Sequence, residues 1–181
     1  MYRNTFLSVM FLACCFNGSL CAQSDAQIYE RTCDAKTYPF SDPSPVATPN
    51  NSYYPYFRFD GFSMQAQEKQ WKMVVLENDY VKLTVTPEIG GKIWGAIDKV
   101  NNKEFVYTNG VVKFRDVAMR GPWTSGGIEF NFGIIGHAPT CSTPIDYLTK
   151  KNVDGSVSCH IFSYEWITRT VWNVEINLPK D

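Results

Sequence analysis

Val81-Lys82-Leu83-Thr84-Val85-Thr86-Pro87-Glu88-Ile89-Gly90-Gly91-Lys92-Ile93-Trp94 is the stretch on which the fold turns. Val81, Leu83 and Val85 alternate with Lys82, Thr84 and Thr86, the period-2 pattern of a half-buried strand. Pro87 to Gly91 punctuates the chain, and Lys92 to Asp98 begins a second strand with Ile93 and Ile97 on one face and Trp94 on the other.

Outward from this pair the pattern repeats. Asn101-Asn102 marks a turn and Glu104 to Thr108 a short strand, while Asp154-Gly155 is a type I′ hairpin signal between Asp146–Val153 and Val157–Tyr164. The last long strand places Trp166, Thr168, Thr170, Trp172, Val174, Ile176 and Leu178 on one side and Arg169, Asn173, Glu175 and Asn177 on the other. No segment carries an apolar stripe of period 3.6, so the fold class is all-β, an antiparallel β-sandwich. Between Cys33 and Pro55 five prolines exclude a sheet interior. Tyr53, Tyr54, Tyr56, Phe57, Phe59 and Phe62 follow, rings that would pack on the body of the domain rather than face water. The expected division is therefore a leader at 1–22, a Pro- and aromatic-rich arm at 23–70 and a sandwich at 71–181.

The leader reading rests on a short basic start, an apolar run from Phe6 to Phe16 and the small-residue exit Asn17-Gly18-Ser19-Leu20-Cys21-Ala22-Gln23. The run falls short of the roughly 20 apolar residues a spanning helix needs, so the expectation is a secreted or periplasmic protein, without a membrane span. Cleavage after Cys21 or after Ala22 both fit, and a lipid anchor on Cys15 is a weaker alternative. The net charge of −1 gives no electrostatic reason to expect nucleic acid as a partner. Aromatic residues make up 15% of the chain, which suits a β core and equally suits stacking on the faces of sugars. Cys33, Cys141 and Cys159 lie outside the leader; no Cys/His spacing suggests zinc, and no cofactor or metal is expected. If a disulfide forms, Cys141 with Cys159 is the expected pair.

The chemistry concentrates between Arg120 and Thr140. If Ile128 to Phe132 is a strand, Ile128, Phe130 and Phe132 share one face, and Glu129 and Asn131 stand roughly 7 Å apart on the other. Flanking glycines allow turns that could swing His137 over that face, with Arg120 and Trp123 at the entrance. A carboxylate, an imidazole, a carboxamide, a guanidinium and an indole together suit a sugar, whose hydroxyls need donors and acceptors and whose ring needs an aromatic surface. The same residues also fit an ordinary solvated strand face, with His137 capping a loop. His160, alternating with Phe162 and Tyr164, reads as a strand residue, and Ser125 lacks the Gly-x-Ser-x-Gly elbow of a serine hydrolase.

Val75-Leu76-Glu77-Asn78 and the Pro87-Glu88-Ile89-Gly90-Gly91-Lys92-Ile93 turn resemble the opening of galactose-mutarotase-like domains. With Gly126-Gly127-Ile128-Glu129-Phe130-Asn131-Phe132-Gly133, Gly136-His137-Ala138-Pro139-Thr140, Asp154-Gly155-Ser156 and Arg169-Thr170-Val171-Trp172-Asn173-Val174, the chain from Val75 onward is similar to the family of domain of unknown function 5107. The resemblance implies a secreted bacterial mutarotase-like sandwich, here an incomplete part of the large sandwich, with a carbohydrate partner. Glycoside hydrolase or epimerase activity is implied by the fold alone. Glu129 and His137 become the candidate proton-transfer residues, and Arg120, Trp123, Asn131 and Lys92 the substrate contacts. The His motif and late Glu of true aldose epimerases have no counterpart here, which leaves a non-catalytic binding or structural module, or a truncated inactive fragment, as the alternative.

Overall fold

The computed structural model describes residues 24–40, 61–117, 121–132, 137, 140–165 and 168–181. The leader, the proline segment from 41 on with its five leading rings, Arg120 and Trp166 lie outside them. Among the described residues ten strands are formed: β1 (Gln27–Tyr38), β2 (Gln67–Glu77), β3 (Val81–Thr86), β4 (Lys92–Asp98), β5 (Lys103–Val106), β6 (Val112–Val117), β7 (Gly121–Thr124), β8 (Asp146–Lys151), β9 (Val157–Glu165) and β10 (Thr170–Leu178). They make a seven-stranded sheet in the order β5-β4-β3-β2-β1-β6-β7 and a three-stranded sheet in the order β10-β9-β8. All pairs are antiparallel except β1 with β6. The only helical element among the described residues is a 3₁₀ turn at Pro87–Ile89, and no helix is long and apolar enough to cross a membrane.

The period-2 patterns decide which faces are buried. Val74, Leu76, Val85 and Ile93 of the large sheet meet Cys159, Ile161, Trp172, Ile176 and Leu178 of the small one to form the inter-sheet core of a β-sandwich. Val74 and Leu76 are fully buried, and each such side chain contributes about 1.5–3 kcal/mol relative to exposure. The opposite face of the large sheet is also covered: Trp71, Met73, Ile89, Trp94, Val112 and Phe114 form a second core. A bulge between β3 and β4 sets this up, since Thr84 pairs Gly95 while Val85 pairs Ile93, and the extra residue, Trp94, turns to the second core. At the 3₁₀ turn Gly90 has φ 67°, and a Cβ there would stand 2.6 Å from the carbonyl carbon of Cys141, so glycine is required twice over.

The large sheet curls until its far strands meet. Chain leaving β7 returns to β4, where Ile93 and Ile128 exchange backbone hydrogen bonds of 3.0 and 2.8 Å. This joins β4 to the chain just beyond β7, a strand five places away in the sheet order, and leaves the second core inside the curl.

Two expectations are revised. Residues 27–38, assigned to the arm, are β1, paired with β2 from Gln27 opposite Glu77 to Thr37 opposite Gln67. Its sequence is polar and mostly exposed, so ladder pairing and the buried Thr37–Trp71 hydrogen bond of 2.9 Å hold it, rather than an apolar stripe. The Asp154-Gly155 hairpin closes over five residues between paired Lys151 and Val157; Gly155 alone of the two has positive φ, 84°, which is a type I turn with a glycine bulge rather than type I′. Cys33 and Cys159 are in no disulfide among the described residues.

Candidate functional site

The site grows from the seam that closes the curl. Trp123 and Thr124 end β7, and Ser125-Gly126-Gly127 turns the chain back toward β4. Asn109 Nδ2 donates to Ser125 Oγ at 2.7 Å, and the Gly127 N–H donates to Tyr107 O at 2.8 Å. Gly127 has φ 70°, and a Cβ on it would fall 2.2 Å from Ile93 O, so only glycine lets the backbones approach closely enough for the Ile93–Ile128 bridge.

That bridge is a single pair; Glu129 to Phe132 are not in a strand. Phe130 and Phe132 pack against the inter-sheet core, with the Phe132 ring 6.2 Å from that of Trp172, while Ile128 is 43% exposed. Glu129 turns into the seam. Its Oε2 accepts from Trp123 Nε1 at 2.8 Å and its Oε1 lies 2.7 Å from His137 Nδ1. The carboxylate side chain is 14% exposed and the imidazole 35%, so the carboxylate is held inside and the ring reaches solvent. The Trp123 and His137 rings meet edge to face, centroids 6.4 Å apart.

Lys92 underlies this group and is 2% exposed. Its Nζ donates to Thr124 O at 2.8 Å and to Thr124 Oγ1 at 3.2 Å, and stands 5.9 Å from the ring centroids of both Trp94 and Trp123. Burial lowers its pKa, and the negative charge of Glu129 works against that shift. An ammonium so enclosed and so engaged clasps β4 to β7.

The fold therefore gathers Lys92, Trp123, Glu129 and His137 at one seam. Asn131 is exposed and outside the hydrogen-bonded group, because the chain beyond Ile128 leaves the strand geometry that would have aligned it with Glu129. Arg120 lies outside the described residues. Thr124, Tyr107 and Asn109 were missed in the sequence; the Thr-Ser-Gly-Gly run announces a turn, but nothing in it names the strand that the turn will meet. Chemically, a carboxylate that accepts from Nδ1–H fixes one tautomer of the imidazole and leaves Nε2 to face a ligand. Among the described residues no three His, Cys, Asp or Glu side chains group as metal ligands would.

A crystal structure of a TPR-domain containing protein from Parabacteroides distasonis ATCC 8503 superposes on this chain with a TM-score of 0.77 at 28% identity, over 87% of this chain and 27% of that one. The chain thus spans well under half of that protein's length. The family model described as "Domain of unknown function (DUF5107)" matches residues 48–181, most of the chain, and the protein belongs to that family.

Proposed function

We propose that this protein is an exported carbohydrate-active domain in which His137, oriented by Glu129, moves a proton at the anomeric oxygen (glycosidic or hydroxyl) or the ring oxygen of a sugar, in a hydrolase- or epimerase-type reaction. The observation that carries the reading is the clamped carboxylate: both oxygens of Glu129 are engaged, by Trp123 Nε1 at 2.8 Å and His137 Nδ1 at 2.7 Å. A carboxylate so held steadies an imidazolium formed at His137 and aims Nε2 outward, the same division of labour by which a buried acid orients a catalytic histidine elsewhere. Trp123 adds an aromatic edge beside the imidazole, a surface on which a sugar ring packs. The resemblance to mutarotase-like domains supplies the substrate class and only that.

The test uses the full chain with p-nitrophenyl glycosides for hydrolysis and polarimetry of freshly dissolved α-glucose and α-galactose for mutarotation. His137→Ala lowers turnover by about 10²-fold, Glu129→Gln lowers it comparably, and the double variant is little worse than either, since the two act as one unit. Equal turnover in folded wild type and variants removes the catalytic role. Sugar binding that persists without any turnover in wild type assigns the seam to a binding module instead.

A further inference from the structure

Inside the curl, away from the Glu129–His137 seam, the large sheet carries a cavity of about 250 Å³. We propose that it is a binding site for a single neutral hexose unit, with Arg31 and Glu104 as its hydroxyl-binding groups.

The floor is apolar, built by Met73, Trp94 and Val112 of the second core, and Thr84 and Asn109 add polar atoms to the wall. Two charged side chains close it from opposite sides of the sheet order, Arg31 on β1 and Glu104 on β5. Both are exposed, and among the described residues neither is engaged in a hydrogen bond or ion pair. Of the other charged residues along it, Lys82 is paired with Glu77 at 3.8 Å, and Asp34 stands between Cys33 and Ala35, which face the second core, so strand alternation turns its carboxylate to the opposite face of β1. The unpaired charges are one of each sign and cancel, so the wall favours no net charge on a ligand. A guanidinium offers only donors and a carboxylate only acceptors. A hydroxyl-covered ligand satisfies both at once, accepting from Arg31 and donating to Glu104, while Trp94 gives the apolar face of a sugar ring an aromatic surface. The volume is below the range of about 300–1,000 Å³ that takes a drug-sized ligand, which sets the occupant at one ring rather than a chain.

The cavity and the seam share structure. Trp94 lines the cavity and stands 5.9 Å from Lys92 Nζ, and Asn109 lines it while bonding Ser125 at the head of the turn that carries Glu129. Sugar as the ligand class rests on the proposed function; the location and the residues rest on the cavity alone.

Titration calorimetry of the full chain with glucose, galactose and mannose, and with glucuronate and glucosamine as charged controls, tests the proposal. At least one neutral hexose binds, more tightly than either charged sugar. Arg31→Ala and Glu104→Ala, both exposed positions that leave the fold intact by circular dichroism, each weaken that binding by about tenfold or more. Hexose binding indifferent to Arg31→Ala and Glu104→Ala overturns the cavity assignment and leaves the Glu129–His137 reading standing. Preference for a charged sugar, or no hexose binding at all, overturns the ligand class proposed for the cavity. Binding lost in Arg31→Ala, with turnover untouched by His137→Ala, upholds the cavity and defeats the catalytic seam.

Discussion

The Lys92 ammonium donates to the backbone carbonyl of Thr124 across 2.8 Å, and so ties β4 to β7 where the curled sheet closes on itself. Thr124 is 1% exposed, so no water replaces the donor if it is lost. Lys92→Met keeps the length of the side chain and removes the donor, and it should destabilise the domain by about 1–3 kcal/mol in urea unfolding. The turn that carries Glu129 depends on the same seam, so turnover should fall with it. An unchanged or raised unfolding midpoint would show that burying the charge costs as much as the clasp contributes.

Trp123 acts on His137 through Glu129, which makes it a positioning residue whose effect is visible without any substrate. The chain has only two histidines, so imidazole ¹⁵N spectra resolve each ring. In the wild type the His137 proton should sit on Nδ1, facing the Glu129 oxygen 2.7 Å away. Glu129→Ala removes that acceptor and should shift the proton toward Nε2. Trp123→Phe keeps the ring, loses the N–H that holds Oε2, and should shift it part of the way. Identical tautomer populations in all three proteins would dissolve the relay.

Strand alternation was legible wherever one face is buried by local pairing. Val85 is fully buried, and Val81 and Leu83 pack against the same core, as their period-2 spacing requires. β10 likewise buries Trp172, Ile176 and Leu178, although it starts at Thr170 because Thr168 and Arg169 form a turn with Arg169 at φ 56°. β1 was illegible for the opposite reason: its side chains are polar and its place comes from an eleven-residue ladder with β2, a long-range fact. The site divides the same way. Glu129 and His137 are eight residues apart and could be paired from their spacing and the glycines between them. Lys92 and Thr124 are 32 apart and meet only because the sheet curls, so the burial of Lys92 could not be foreseen.

Gly127 and Gly110 offer a matched pair of substitutions. An alanine Cβ at Gly127 would meet Ile93 O at 2.2 Å in a backbone with φ 70°, whereas one at Gly110 meets nothing within 4 Å. Gly127→Ala should cost about 1–3 kcal/mol and break the Ile93–Ile128 bridge, carrying Glu129 out of place. Gly110→Ala should be neutral within about 0.5 kcal/mol. Hydrogen exchange at the Ile93 and Ile128 amides reads the bridge directly. Amides equally protected in Gly127→Ala would mean that the close approach is dispensable.

Cys159 and Tyr147 predict how the fold responds to alkali. Burial pushes the Cys159 thiol from 9.0 up to about 12, with the charge of Glu30 adding to the shift. Tyr147 rises from 10.0 to about 12, first through burial and then through its 2.7 Å hydrogen bond to Glu30. Both groups hold their protons more tightly in the folded chain than in the unfolded one. Their contribution is therefore complete below pH 9.0 and is lost as the pH climbs toward about 12. Lys92 runs the other way: its lowered pKa means that the unfolded chain keeps that proton longer, so stability gains from rising pH in the interval below 10.5. Urea midpoints followed upward from pH 9.0 should fall in the wild type. They should fall less in a Cys159→Ala, Tyr147→Phe double variant and more in Lys92→Met. Three parallel curves would remove these groups from the alkaline transition. Alkylation mapped by mass spectrometry gives an independent check: the half-buried Cys33 should label in the native protein while fully buried Cys159 waits for denaturant, and equal native labelling of the two would contradict the burial of Cys159.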